Sequence, residues 1–307
     1  MAKVKTALIC QGGGMKGAFT AGVVYELANK FNIQNIDILI GISASAPTLT
    51  YFSAGQFSAI KDIWQNELGT PFLIKRSNFF KGKPVYDINY LIDEVFKNKY
   101  PLNLSRLQSS PINLYIPLYN YKSKKIEYYN NHDDQEKMNI WQALKATMVI
   151  HHQHLSQKET HRYYVDSSLI NSLIFEKALS ENATHFIVVI NDRNLDFRFK
   201  DWLKYKIFCS FQAKNFPQEV KDKLKDYPKF RKISINRFKK FYQDHQVLFI
   251  HPDKKSKITT AMDKNWQIKR AVELGQKELN KKADHPILKV FQERSAELIK
   301  KLNNIFD

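Results

Sequence analysis

Thr6-Ala7-Leu8-Ile9-Cys10-Gln11-Gly12-Gly13-Gly14-Met15-Lys16-Gly17 is an apolar run that breaks into glycines and then enters a helix-like pattern. Further on, Ile36-Asp37-Ile38-Leu39-Ile40-Gly41-Ile42-Ser43-Ala44-Ser45 repeats the plan with different small residues. Each stretch reads as a buried strand that turns into a helix. In the second, Ser43 stands at the reversal, with Gly41 and Ser45 two residues away on either side. A tight strand-to-helix turn of this kind lifts a Ser hydroxyl clear of the sheet, as in a nucleophile elbow. The glycine run of the first unit can aim backbone N–H groups at a developing oxyanion. The plainer reading of Ser43 is a turn residue. The buried strand before it and the helix directly after it favour the elbow.

Gly12, Gly14 and Gly17 also fit a dinucleotide fingerprint, which requires an acid at the end of the second strand to hold a ribose. The nearest acid, Asp37, lies at that strand's start, and the elbow occupies the position a ribose would need. A P-loop fails because no Gly-Lys-Ser/Thr follows. A Ser nucleophile needs a base, and two candidates exist. One is the cluster His151, His152, His154 and His161; the other is Asp166, at the end of Tyr163-Tyr164-Val165 and before Ser167-Ser168. The histidines lack a carboxylate or cysteine at ligand spacing and read as a polar loop, so neither metal nor cofactor is expected. Asp166 ends a strand, where an α/β fold presents its functional groups. A helix N-cap role for it is compatible with that.

The remaining pattern continues the alternation. Helices are expected over 15–31, 44–56 and 57–68, with a looser stretch over 69–110 that contains one helix around 88–96. A strand over 111–119 pairs with a hairpin partner over 125–129, followed by helix over 139–149. A short strand runs over 162–165, helix over 173–179 and a buried strand over 185–190. Beyond 197 the chain is mostly helical and basic, interrupted by a strand over 246–251. This order argues for a three-layer α/β/α sandwich around a mainly parallel sheet. No run reaches the apolar length of a membrane span, and no signal-peptide pattern opens the chain. Cys10 and Cys209 form no disulfide framework, and a reducing cytoplasm is the expected location. Cys10, inside the first strand, should behave as a small buried hydrophobe.

With these motifs in order, the chain resembles the bacterial branch of the patatin-like phospholipases, a family of lipid acyl hydrolases. Gly12 to Gly17 matches the family's G-G-G-x-[KR]-G, and Gly41 to Ser45 matches its G-x-S-x-[GSA]. Val165-Asp166-Ser167-Ser168 corresponds to its Asp-Gly-[Gly/Ala], and Ala143 to Met148 resembles its A-L-x-A-S-x segment. Val247 to Gly275 resembles the tail of one bacterial subgroup, through His251-Pro252 and Ala271-Val272-Glu273-Leu274-Gly275. The resemblance covers roughly 4–280. It implies a Ser43–Asp166 dyad without a catalytic histidine. It also implies an oxyanion hole from Gly12, Gly13, Gly14 and Ala44, supported by Lys16, Gly17 and Gly41. It implies a patatin-like domain over 1–280, with core motifs in 4–190 and a helical basic elaboration over 191–280. A helical tail would follow over 281–307. Three departures stand out. Ser167 and Ser168 replace Gly and Gly/Ala, Val149-Ile150-His151-His152 lacks the usual Pro, and Gln11 stands where plant members have Asp.

The 307 residues carry a formal charge of +18, of which +5 falls in 1–190 and +13 in 191–307. Aromatic residues interleave with the excess: Phe199, Trp202, Tyr205, Phe208, Phe211, Phe216, Phe230, Phe238 and Phe241. A basic surface with outward rings would suit an anionic membrane, although some rings must pack as core and Lys-rich solvated surfaces are common. Three functional readings follow. The expected one is a cytoplasmic or membrane-peripheral serine acyl hydrolase for a lipid ester. A catalytically weak lipid-binding protein of the same fold is the alternative. A nucleic-acid binder would use only the basic half and leaves the motifs idle.

Overall fold

The structure, a computed structural model, describes residues 4–78, 80–81, 85–148, 163–171, 174–192, 203, 206–207, 216–260 and 262–306. Among these residues seven strands form one sheet: β1 (Thr6–Cys10), β2 (Ile38–Gly41), β3 (Asn113–Asn120), β4 (Lys125–Asn130), β5 (Tyr164–Asp166), β6 (His185–Val189) and β7 (Gln246–Ile250). Their order is β4-β3-β2-β1-β6-β7, with β5 also on β3. The pairs β1–β2, β1–β6, β2–β3 and β6–β7 are parallel. Only β4 and β5 run antiparallel, both against β3.

Side chains alternate across a strand, and here both faces are buried. Leu8, Cys10, Leu39, Ile187, Val189, Leu248 and Ile250 point into one core. Ala7, Ile9, Ile38, Ile40, Phe186, Val188 and Val247 point into the other. The strands therefore read as continuous apolar runs, the signature of a sheet covered on both sides. The helices are α1 (Gly17–Asn29), α2 (Ser45–Ser53), α3 (Phe57–Asp62), α4 (Leu104–Ser109), α5 (Ile140–Met148), α6 (Glu176–Ser180), α7 (Gln218–Lys225), α8 (Tyr227–Asp244), α9 (Asn265–Asn280) and α10 (Pro286–Phe306). Residues of α1, α2, α5, α9 and α10 fill the first core; Ala178 of α6 with Phe238 and Phe241 of α8 fill the second. The arrangement is the expected three-layer sandwich. Two segments are wound wider than an α-helix. One continues α3 over Ile63–Glu67, and the other, the helix expected around 88–96, runs Tyr90–Lys99. Cys10 is fully buried in the first core, as a small hydrophobe would be; Cys209 lies outside the described residues.

The rings considered for a basic membrane-facing surface divide, and Phe230 among them is half-buried. Phe216, Phe238 and Phe241 are buried, and Phe241 stacks on Phe175 with centroids 4.5 Å apart. The basic helix α8 needs these rings to hold its apolar face on the sheet. Phe199, Trp202, Tyr205, Phe208 and Phe211 lie outside the described residues.

The C-terminal region is built into the sandwich. β7 extends the sheet beyond β6, and α9 crosses α1 backbone to backbone. A Cβ on Gly22 would lie 1.9 Å from Val272 O, and one on Gly275 2.1 Å from Phe19 O. From α10, Arg294 donates through Nε and Nη2 to both oxygens of Asp37, at 3.0 and 2.5 Å. Thr6 adds its N–H and hydroxyl to the same carboxylate, each at 2.9 Å. Burial pushes the Asp37 carboxyl up, but Arg294 and Thr6 outweigh it and hold the pKa below its ordinary value. Asp37 thus anchors a distant helix to the sheet. The α1–α9 crossing has no room for a methyl group. Gly275→Ala should lower the unfolding free energy by about 1–3 kcal/mol or more. A urea midpoint equal to that of the parent would show that the helices can separate without loss.

Candidate active site

Ser43 follows the end of β2 with φ 54, a left-handed backbone conformation that a non-glycine residue adopts at a cost of about 1–3 kcal/mol. Surrounding bonds hold it there. Its N–H donates to Thr147 Oγ1 on α5 at 3.1 Å, and the preceding Ile42 N–H donates to Cys10 O at 3.2 Å. Ser45, the first residue of α2, donates its hydroxyl to Gln11 O at 2.6 Å, tying the elbow to the glycine loop. Ser43 itself is 3% exposed.

Asp166 arrives from the opposite direction. β2 pairs with Asn113 to Tyr115 on one edge of β3, and β5 takes the same edge over Leu118 to Asn120. β4 fills the other edge along Tyr115 to Asn120. β2 and β5 therefore meet end to end along β3, one ending just before the elbow and the other at Asp166. The Asp166 side chain is buried beside Ser43. Burial raises its pKa from 3.8 to about 6, against hydrogen bonding from the Ser43 side chain and from Ser168 that favours the ionised form. Ser168 N–H donates to Asp166 Oδ1 at 2.8 Å, so the expected N-cap contact is present as well. Of the two departures beside Asp166, Ser168 acts on the carboxylate through both its backbone N–H and its side chain, the second of which a glycine would lack. Ser167 buries its hydroxyl without a partner.

The glycine loop lies against the elbow. A Cβ on Gly12 would come 2.6 Å from Ser43 Cβ, so only glycine lets the two turns approach. Gly13 adopts φ 141, ψ 29 and Gly14 φ 56, conformations open to glycine. Among the described residues no protein group accepts a hydrogen bond from the N–H of Gly12, Gly13, Gly14 or Ala44. The carbonyls on the loop's other side are taken. Asn191, just past β6, donates its carboxamide to Gln11 O at 2.6 Å and to Gly12 O at 3.3 Å. Asn191 Oδ1 accepts from Thr20 Oγ1 of α1 at 2.9 Å. Gln11 accepts from Asn191 N–H at 2.9 Å and donates to Asp192 Oδ2 at 3.1 Å, and Lys16 pairs with Asp192. A carboxylate at position 11 would meet Asp192 with like charge; the amide of Gln11 can both donate and accept. Gly17 opens α1 under the Trp64 ring, and Gly41 closes β2 against Ala46.

An apolar pocket opens from Ser43, Ala44, Gly14 and Met15 and contains about 650 Å³ of empty space including its mouth. Pro47, Thr48 and Tyr51 of α2 line it together with Ile63, Trp64, Leu91 and Phe96. The polar groups in the wall are engaged elsewhere: Trp64 Nε1 donates to Thr48 Oγ1 at 3.0 Å and Tyr51 OH to Tyr100 O at 2.6 Å.

Ser43, Asp166, the glycines and Ala44 are thus brought together, while the four histidines fall outside the described residues. Thr147, Asn191 and Asp192 were not singled out from the sequence. Asn191-Asp192 directly follows a buried strand, the position where an α/β sheet presents polar groups, and that was the available signal.

The family model for patatin-like phospholipases matches residues 8–179, more than half of the chain, and the chain belongs to that family. It is 23% identical over 204 residues to the Escherichia coli (strain K12) protein described as "Uncharacterized protein YjjU", an alignment covering 65% of this chain and 56% of that protein. This chain thus spans little more than half the length of that relative. Among solved structures it is similar to VipD from Legionella pneumophila, with TM-score 0.47 and 13% identity over 94% of this chain and 68% of that one.

Asp166 carries a stability signature. Its carboxyl binds a proton more tightly folded than unfolded, so folding stability falls as pH rises from about 4 to 6 and stays lower above that. The cost of the buried charge is about 3 kcal/mol. Asp166→Asn should therefore be more stable relative to the parent at pH 8 than at pH 4. Thermal melts with the same difference at both pH values would mean that Asp166 titrates normally.

Proposed function

We propose that the chain is a serine acyl hydrolase that cleaves lipid esters, of phospholipase A, lysophospholipase or esterase type. The observation that carries the reading is an apolar pocket whose mouth is formed by Ser43 and the glycine loop. Such a pocket accepts a hydrocarbon chain and offers nothing to a sugar or a peptide. In the proposed reaction Asp166 takes the Ser43 hydroxyl proton as Oγ attacks the ester carbonyl. The tetrahedral oxyanion is held by the amides of Gly12, Gly13, Gly14 and Ala44. Asp166 returns the proton to the departing alcohol, leaving an acyl-Ser43. Water then attacks with Asp166 again as base, the fatty acid leaves, and Ser43 regains its proton. Ser43 N–H is already bonded to Thr147, which favours the glycine loop and Ala44 as the oxyanion's donors in this reading. Asn191, Lys16 and Asp192 would keep those amides aimed. The catalytic unit of 1–280 is backed by β7 and α9 in this reading, and the stretch over 281–307, expected as a tail, packs Leu288 and Phe291 into the first core and belongs to the same unit.

Ser43→Ala should abolish hydrolysis of a p-nitrophenyl acyl ester and labelling by a fluorophosphonate without loss of fold; turnover retained above a few per cent would remove Ser43 from the mechanism. Labelling without turnover would favour the weak lipid-binding alternative.

The pH profile reports the base. Asp166 must be ionised to act, so kcat/KM should fall as pH drops through about 6. A profile flat down to pH 4, or an Asp166→Asn variant that keeps its rate, would exclude the carboxylate.

A further inference from the structure

The two most exposed large apolar side chains among the described residues are Phe80, at 73%, and Phe72, at 66%. Both belong to Thr70-Pro-Phe-Leu-Ile-Lys-Arg-Ser-Asn-Phe-Phe-Lys-Gly-Lys-Pro-Val-Tyr86, a stretch with four cations, Lys75, Arg76, Lys81 and Lys83, and no acid. Its ends are pinched together by an antiparallel Ile74–Tyr86 bridge, Lys75 N–H donating to Val85 O at 2.8 Å and Asp87 N–H donating to Leu73 O at 2.9 Å. Leu73, Tyr86 and Ile88, at that pinch, line the pocket that leads to Ser43. The base of the projection is therefore part of the pocket, while Phe80 and Lys81 lie exposed away from it. Phe72 extends the apolar strip by stacking on Tyr90, centroids 5.9 Å apart, and Lys99 lies 5.9 Å over that ring.

We propose that Phe72, Phe80 and Lys81 form the protein's docking surface for an anionic lipid bilayer, with the two rings entering the interface and Lys81 meeting head groups. Lys75 is paired with Asp87 and Lys99 with Glu67, which leaves Lys81 beside Phe80 as the cation for head groups, and exposed rings next to a cation have the composition of an interfacial anchor. Among the described residues no helix is long and apolar enough to cross a membrane. The surface is distinct from the basic half of the chain, where Phe216, Phe238 and Phe241 are buried while Tyr242 and Trp266 are less exposed than Phe72 and Phe80. It rests on the acyl-hydrolase reading only for its direction: an acyl chain lifted from the bilayer at Phe72 would pass Leu73 into the pocket.

The test uses the full chain carrying Ser43→Ala, so binding is read without turnover. Sedimentation with phosphatidylcholine vesicles, with and without phosphatidylglycerol, should show binding that rises with the anionic lipid and falls with salt. Phe72→Ala with Phe80→Ala should weaken it by about tenfold or more, and Lys81→Glu should weaken binding to the anionic vesicles only. In the active parent the ring variants should leave hydrolysis of a soluble p-nitrophenyl ester unchanged, which keeps this outcome separate from failure of the hydrolase reading. Unchanged vesicle binding in the ring variant would overturn the proposal. Lys239→Glu with Lys240→Glu abolishing binding while the ring variant retains it would overturn it as well, moving the contact to α8.

Discussion

A serine held at φ 54 is the constraint on which this molecule is organised. The conformation has a cost, and it persists because independent elements over-determine it. α5 contributes Thr147 to the Ser43 amide, β1 receives the Ile42 N–H, and Ser45 clasps the glycine loop. Remove any of these and the turn could relax toward an ordinary φ, swinging the hydroxyl away from Asp166. The glycine loop depends on the same knot, since Gly12 packs on Ser43 Cβ with no space between them.

The second half of the arrangement follows from sheet topology. Bringing a base to a nucleophile at a strand end normally requires a long loop. Here β3 is longer than β2, and its unpaired remainder accepts β5 from the opposite direction. Backbone ladder bonds, which are rigid and directional, thus fix how Asp166 faces Ser43. Burial in that gap raises the affinity of Asp166 for a proton, which suits a group that must take one from a hydroxyl near neutral pH. The site gains basicity from the same desolvation that weakens the fold.

Much of this was legible in the sequence. Two strand-to-helix turns with small residues pointed to Ser43 and the glycine loop, and the apolar runs of β1, β2 and β6 announced a sheet buried on both faces. Asp166 could be found by its place at a strand end, but not the register that brings it to Ser43, because three residues of β5 carry no pairing preference. Asn191 and Asp192 escaped notice since they hold a loop some 180 residues away, Asn191 through the loop's carbonyls and Asp192 through the Gln11 and Lys16 side chains. Charge was misleading over 216–241: Lys and Arg cover the outer face of α8 while Phe238 and Phe241 fill the core. The loose pattern over 69–110 hid the exposed rings at 72 and 80 for the converse reason. The buried residues of that projection, Leu73 and Ile74, are too few and too close together to set a period.

The crossing of α1 and α9 also sets a timetable. Phe19 and Gly22 meet Val272 and Gly275 across some 250 residues of sequence, so the helix that follows the glycine loop is made long before the surface that seats it. At ordinary synthesis rates the interval is roughly 10–50 s. Contacts of such separation close late in folding, and during that time the loop's amides have no fixed aim. The nascent chain therefore carries all three motifs well before it carries a site. The seat of α1 is completed only when residues 265–280 have left the ribosome and the finished sandwich can close around it.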